Sequence, residues 1–173
     1  SPGSGQGTVN GGGLSAGNYA VTVTDASGCS DVITITITEP SVLSLSTNII
    51  QQVSCNGDSD GSAIVNVSGG TSTYTYQWYS GTPTGTLLGS QTNATASLLA
   101  AGTYYCVVTD ANNCQASTST ITITEPSILS ASFSTTDPLC NGGNNGAIDL
   151  TPGGGTAGYT YQWTGPSGFN SGL

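Results

Sequence analysis

The sequence predicts an all-β protein, a tandem array of β-sandwich repeats with a period of about 85 residues. Three observations carry that expectation. Tyr74-Thr-Tyr-Gln-Trp78 returns as Tyr159-Thr-Tyr-Gln-Trp163, and Cys55-Asn-Gly, Leu14-Ser-Ala-Gly and Thr24-Asp-Ala-Ser-Gly-Cys29 find counterparts at the same offset in Cys140-Asn-Gly, Leu99-Ala-Ala-Gly and Thr109-Asp-Ala-Asn-Asn-Cys114. Apolar residues alternate with Thr and Ser at period two, and no helical periodicity occurs anywhere. Turn residues punctuate the alternation at intervals of about ten residues, the spacing of short strands in a sandwich.

The chain begins within one repeat and ends within another. Residues 1–40 correspond to the back half of a repeat, 41–126 to a complete repeat, and 127–173 to the front half of the next. In the first part, Tyr19, Val21 and Val23 alternate with Ala20, Thr22 and Thr24, and Asp25-Ala-Ser-Gly28 supplies a turn. Ile33, Ile35 and Ile37 alternate with Thr on the far side, so the two runs predict a hairpin. Glu39-Pro40 ends it, because Pro has no donor for a ladder; Glu125-Pro126 does the same one repeat later, one residue beyond the common offset.

The complete repeat opens with a strand through Leu43 and Leu45 and turns at Cys55-Asn-Gly-Asp-Ser-Asp-Gly61. Ala63, Val65 and Val67 form the next inward face. Their counterparts Ile148, Leu150 and Pro152 keep that face apolar, whereas Ile64 becomes Asp149 and is expected to point outward. Tyr74, Tyr76 and Trp78 share one face after Gly69-Gly70. Residues 80–97 read as irregular edge strands; Tyr104, Cys106 and Val108, then Ile121 and Ile123, complete the repeat.

Charge narrows the function classes. Nine carboxylates stand against no Lys, Arg or His, for a net charge of −9, so side-chain ion pairs are impossible. The counterion release that drives nucleic-acid binding is excluded as well, and anionic membrane surfaces are disfavoured. No apolar run is long enough to span a bilayer, so neither nucleic acid nor membrane insertion is expected. Without a His, Lys or Arg to serve as base or oxyanion clamp, and with no carboxylate pair recurring at fixed spacing, an enzyme reading has little to stand on. A surface of Thr, Ser, Asn and Gly suits a packed or glycan-coated extracellular fibre.

In their order, Cys-Asn-Gly, Gly-Gly, Tyr-Thr-Tyr-Gln-Trp, Leu-x-Ala-Gly-x-Tyr, Thr-Asp-Ala-x-x-Cys and Ile-Thr-Ile-Thr-Glu-Pro resemble the SprB-type repeat of Bacteroidetes surface proteins. The resemblance covers nearly the whole chain. It implies immunoglobulin-like or polycystic-kidney-disease-like sandwiches in a secreted, cell-surface protein of the gliding-adhesin kind, and hence a structural filament or stalk on a bacterial exterior. Its partners would be further copies of itself, end to end, in an array where each half repeat is completed by a neighbouring copy. The alternative is a carbohydrate- or surface-binding adhesin, with Tyr79 and Tyr105 as stacking aromatics.

Individual residues carry further expectations. Trp78 and Trp163 are the expected core tryptophans. Tyr19 and Tyr104 are candidates for a tyrosine corner, in which the hydroxyl bonds the backbone of the preceding turn. Cys106 reads as a small buried hydrophobe. Cys29, Cys55, Cys114 and Cys140 recur at fixed places, which in an oxidising exterior points to disulfides. In an immunoglobulin-like strand order the turns carrying Cys55 and Cys114 fall at opposite ends, too far apart to bond, so inter-repeat staples come first. Asn56, Asp58 and Asp60 match the start of a calcium loop, but position twelve is Val67 and the second copy has lost both Asp; an Asx-rich turn explains the same residues. No other cofactor is implied. Asn66 and Asn93 head glycosylation sequons.

Overall fold

The computed structural model describes residues 10–166 and 170–172, the last three as backbone alone. The chain divides into two units, Ser1–Val42 and Leu43–Leu173.

The first unit is a hairpin of β1 (Gly17–Thr24) and β2 (Ser30–Ile37), paired without interruption from Gly17 opposite Ile37 to Thr24 opposite Ser30. Its turn is held by Asp25, whose Oδ1 accepts from the backbone N–H of Ser27 at 2.8 Å and of Cys29 at 2.9 Å. Gly28 supplies the left-handed residue of this turn at φ 87°, and Asn113 takes the same place at φ 63° in the complete repeat. Register and alternation together place Tyr19, Val21, Val23, Ile33, Ile35 and Ile37 on one face. That face is open: Val21 is 47% exposed and Ile33 54%.

In the second unit, residues 43–126 form a two-sheet sandwich. One sheet is β3 (Ser44–Gln51), β4 (Gly61–Ser68) and β7 (Thr95–Leu99). The other runs β10 (Ile121–Ile123), β8 (Gly102–Thr109), β5 (Thr75–Ser80), β6 (Thr86–Leu87), with β9 (Gln115–Ser117) also on β8. Both sheets feed one core, Val53, Ala63, Val65, Ala96 and Leu99 from the first side and Trp78, Tyr104, Cys106, Val108, Ile121 and Ile123 from the second. Trp78 at 0% exposure is its largest member, and its indole N–H donates to the Asn93 carbonyl at 2.8 Å. Tyr74, Tyr76, Leu45 and Val67 pack around it, partly buried. No buried polar side-chain atom among the described residues lacks a partner.

Residues 127–172 repeat the first strands in the same order. β11 (Ser130–Thr136) pairs β12 (Ala147–Gly153), and β13 (Gln162–Thr164) pairs β14 (Asn170–Gly172), as two separate two-stranded sheets. Here one expectation is corrected. Trp163 is only half-buried, because among the described residues β13 has no neighbour where β8 lies against β5, and Phe133 and Ile148 on the β11–β12 sheet are 72% and 55% exposed.

Two bulges explain why the repeat offset is not constant. The ladder of β3 and β4 is irregular between Ile49 and Gln51, whereas β11 and β12 pair without a break, so Ile50 has no counterpart. The run that is continuous in β2 splits into β9 and β10 around one extra residue. Thr118 fills that break from a buried position: its N–H donates to the Cys106 carbonyl at 3.0 Å, and its Oγ1 accepts from the Cys106 N–H at 3.0 Å. One side chain thereby replaces a lost rung.

Candidate functional site

The features with capacity to bind are the two ends of the sandwich and the faces that no sheet covers. At one end Asp110 organises three segments. Its Oδ2 accepts from Thr71 N–H at 2.9 Å, and its Oδ1 from Asn112 N–H at 2.9 Å and Cys114 N–H at 2.8 Å. These donors, led by Thr71, hold its carboxyl below the usual carboxylate range, against the opposing effect of burial. Leu43 lies here too: a methyl on Gly70 would meet its Cδ1 at 3.1 Å. The chain therefore enters the sandwich at the Asp110 end.

It leaves at the other. Asn56 Nδ2 donates to the Pro126 carbonyl at 3.1 Å, and Gly57 N–H donates to Glu125 Oε2 at 2.7 Å, so the Cys55 turn clasps the exit strand. Cys55 and Cys114 thus sit at opposite ends of β4, whose eight residues span roughly 26 Å at ~3.3 Å each. A disulfide tolerates a Cα separation of no more than about 7 Å, so the two cannot bond within one sandwich. Cys29, Cys55, Cys114 and Cys140 are exposed thiols, none bridged in this chain. Cys106 is buried, and desolvation pushes its thiol up to about 12, out of reach of the thiolate that exchange and metal binding require.

The residues of the calcium motif turn to separate tasks. Asn56 reaches Pro126, while Asp60 accepts from Ser54 N–H at 3.0 Å, Ser54 Oγ at 2.5 Å and Gln51 Nε2 at 3.1 Å, which holds its carboxyl low. Among the described residues no group of three His, Cys, Asp or Glu side chains lies together as a metal site. Asn66 and Asn93 are both exposed. Tyr79 stands directly opposite Tyr105 across the β5–β8 ladder, both part-exposed on the outward side. Their hydroxyls bond Gln77 Oε1 at 3.1 Å and Thr120 Oγ1 at 2.7 Å.

The tyrosine corner is built twice. Tyr104 donates to the Ala100 carbonyl at 2.9 Å, and Tyr19 donates to the Ser15 carbonyl at 2.8 Å. A second tyrosine tie, which pattern reading did not pick out, also recurs: Tyr74 donates to the Gly69 carbonyl at 2.7 Å and Tyr159 to that of Gly154 at 2.5 Å. The signal for it was the fixed spacing from Gly-Gly to the first tyrosine of Tyr-Thr-Tyr-Gln-Trp. Likewise the roles of Asp110 and Glu125 were flagged only by the recurrence of Thr-Asp-Ala and Glu-Pro.

Beside Trp163 lies an open trough of about 480 Å³, lined by Thr135, Thr136, Ala147, Ile148 and Trp163 among others. In the complete repeat the corresponding place is filled. A methyl on Gly61 would collide with Ile123 Cγ2 at 2.7 Å and the Leu99 carbonyl at 2.8 Å, whereas on its counterpart Gly146 the nearest atoms, Pro138 Cδ at 3.2 Å and the Thr136 carbonyl at 3.3 Å, belong to the chain just before it.

Comparison with known families gives a match to the SprB repeat at two places, residues 47–83 and 132–168. No curated protein matches the chain.

Proposed function

We propose, from the two matches to the SprB repeat at residues 47–83 and 132–168, that the chain is a structural, non-enzymatic segment of a cell-surface, extracellular filament or stalk in which immunoglobulin-like sandwiches stack end to end. The observation that carries this reading is the polarity of the complete repeat. Entry beside Leu43 and Asp110 and exit beside Asn56 and Pro126 put the two connections at opposite ends, so successive repeats extend rather than fold back. The same polarity brings the Cys55 end of one repeat toward the Cys114 end of its successor, the geometry an inter-repeat disulfide needs. With no cation on the surface and a net charge of −9, lateral aggregation is opposed by weak uniform repulsion. Negative-stain microscopy of the native material tests the reading. Threads with an axial period of about 35 to 40 Å per sandwich are expected from the strand length; globular particles without periodicity would refute it.

One observation favours a second role on the same scaffold. The side-by-side Tyr79 and Tyr105 offer two rings to a sugar face, and they belong to the complete repeat only, since their counterparts are Thr164 and Ala20. Glycan binding that disappears in Y79A/Y105A would establish it, and an array screen with no retained sugar would dismiss it.

A further inference from the structure

We infer that the β1–β2 hairpin of one copy completes the β11–β14 half of a second copy, in the strand register of the complete repeat. Three observations converge on this. The first is that each partner has an unpaired edge where the complete repeat has a paired one. In the complete repeat β5 is flanked by β6 and β8, but among the described residues β13 pairs only β14, and β1 pairs only β2. The second is that both partners carry an open apolar face, Val21, Ile33 and Ile35 on the hairpin against Ile148, Phe133 and Trp163 on the half repeat.

The third observation identifies the occupant. The hairpin is the counterpart of β8, β9 and β10, and its internal register is theirs: Tyr19 opposite Ile35 matches Tyr104 opposite Ile121, and Gly17 opposite Ile37 matches Gly102 opposite Ile123. In the complete repeat Ile123 fills the space over Gly61, and its hairpin counterpart is Ile37. The trough beside Trp163 and Gly146 is the place Ile37 would take.

The template fixes the new ladder. Trp78 pairs Cys106, Tyr76 pairs Val108 and Gln77 pairs Val107. Carried over, Trp163 pairs Val21, Tyr161 pairs Val23 and Gln162 pairs Thr22. Main-chain bonds along β13 would supply affinity, and the alternating apolar side chains would supply register, the logic of strand complementation between subunits. Where the hairpin side is larger than its template, as Val21 is against Cys106, it would face the two-stranded β11–β12 sheet, which among the described residues lacks a third strand like β7, and can settle with its Ile148 and Leu150.

Completion rests on the array reading but fails separately from it. End-to-end stacking would survive in micrographs even if this contact did not form, and this contact could form without threads. Cross-linking of the full 173-residue chain decides it. In a background of C29S, C55S, C114S and C140S, T22C and Q162C are placed on separate preparations, then mixed and oxidised. The expected result is a disulfide dimer joining positions 22 and 162, dominant over either like-with-like product. Pairing Q162C with N18C, four residues out of register and about 13 Å away along the strand, should lower the yield at least tenfold. Equal yields in and out of register, or a T22C/Q162C chain that closes only on itself as a monomer, would overturn the proposal. A cysteine-independent readout guards against failure of that background to fold: sedimentation of the otherwise unaltered chain under reductant. Association that weakens at least tenfold in V21D/I33D is expected, since both residues are already exposed in the separate hairpin; undiminished association would overturn the proposal.

Discussion

Tyr104 and Tyr19 make the same hydrogen bond to the same place in the same turn, yet Tyr104 is buried and Tyr19 half-exposed. The contrast extends to the whole of the two regions. Residues 102–123 and 17–37 pair in equivalent register, and residues 61–80 and 146–164 repeat each other's turns and tyrosine ties. In one region the apolar side chains reach near-zero exposure, in the other they remain open. A hairpin's geometry is therefore set within the hairpin, by its turn and its alternation. Burial is set by whether a second sheet arrives. Most of the stabilisation of a sandwich lies in that second step, because removing apolar area from water yields about 25 cal/mol per Å² whereas a net hydrogen bond yields about 1 kcal/mol.

The largest expected effect is at the two tryptophans. Trp78→Ala should cost about 3 to 5 kcal/mol by denaturant unfolding, whereas Trp163→Ala should cost roughly half that or less while copies are kept dilute. Equal costs would show that the two halves of the comparison are packed alike. Next comes Gly61→Ala, which thrusts a methyl against Ile123 and the Leu99 carbonyl and should cost about 1 to 3 kcal/mol. Gly146→Ala, whose nearest neighbours Pro138 and Thr136 stand at 3.2 and 3.3 Å, should cost below about 1 kcal/mol; thermal melts of both variants compare them directly. Tyr104→Phe strands the Ala100 carbonyl at a part-buried bond and should cost about 1 kcal/mol, with Tyr19→Phe at less than about half of that.

The smallest effect is a pH dependence in the complete repeat. Hydrogen bonds from Ser54 and Thr71 hold the pKa values of Asp60 and Asp110 below the ordinary carboxylate value in the fold. A depressed folded pKa means that the unfolded chain binds protons more readily, so this stability is present above the unfolded carboxylate value near 3.9 and is lost as pH falls below it. Unfolding curves between pH 6 and pH 3 should steepen on the acid side, and D60N/D110N should flatten that slope; an unchanged slope would mean these turns are not ionically tuned.

Much of this was legible beforehand because the repeats annotate one another. Alternation fixed the strands, and substitution of Ile64 by Asp149 told which way the strand faces. The tyrosine corner followed from Tyr19 and Tyr104 standing two residues before an inward position. The calcium-like run shows why some features were not legible: Asn56 and Asp60 are spaced like ligands, yet Asn56 turns to Pro126, nearly a whole repeat away in sequence, and Asp60 to Ser54. A motif gives residue types and spacing, and the direction of a side chain depends on which distant strand comes to lie beside it.

By itself, the sequence determined the period, the all-β class, the strand faces and the hairpin registers, all of which depend on residues near one another along the chain. Tertiary structure alone decided that Ile50 bulges, that Thr118 stands in for a ladder rung at Cys106, and that identical Tyr-Thr-Tyr-Gln-Trp motifs end with one tryptophan sealed and the other beside an open trough. The physical reason is that alternation records which side of a strand is apolar, whereas burial requires strands from elsewhere in the chain: β5 has β8 beside it in its own sheet and β3, β4 and β7 in the facing one, while among the described residues β13 pairs only β14.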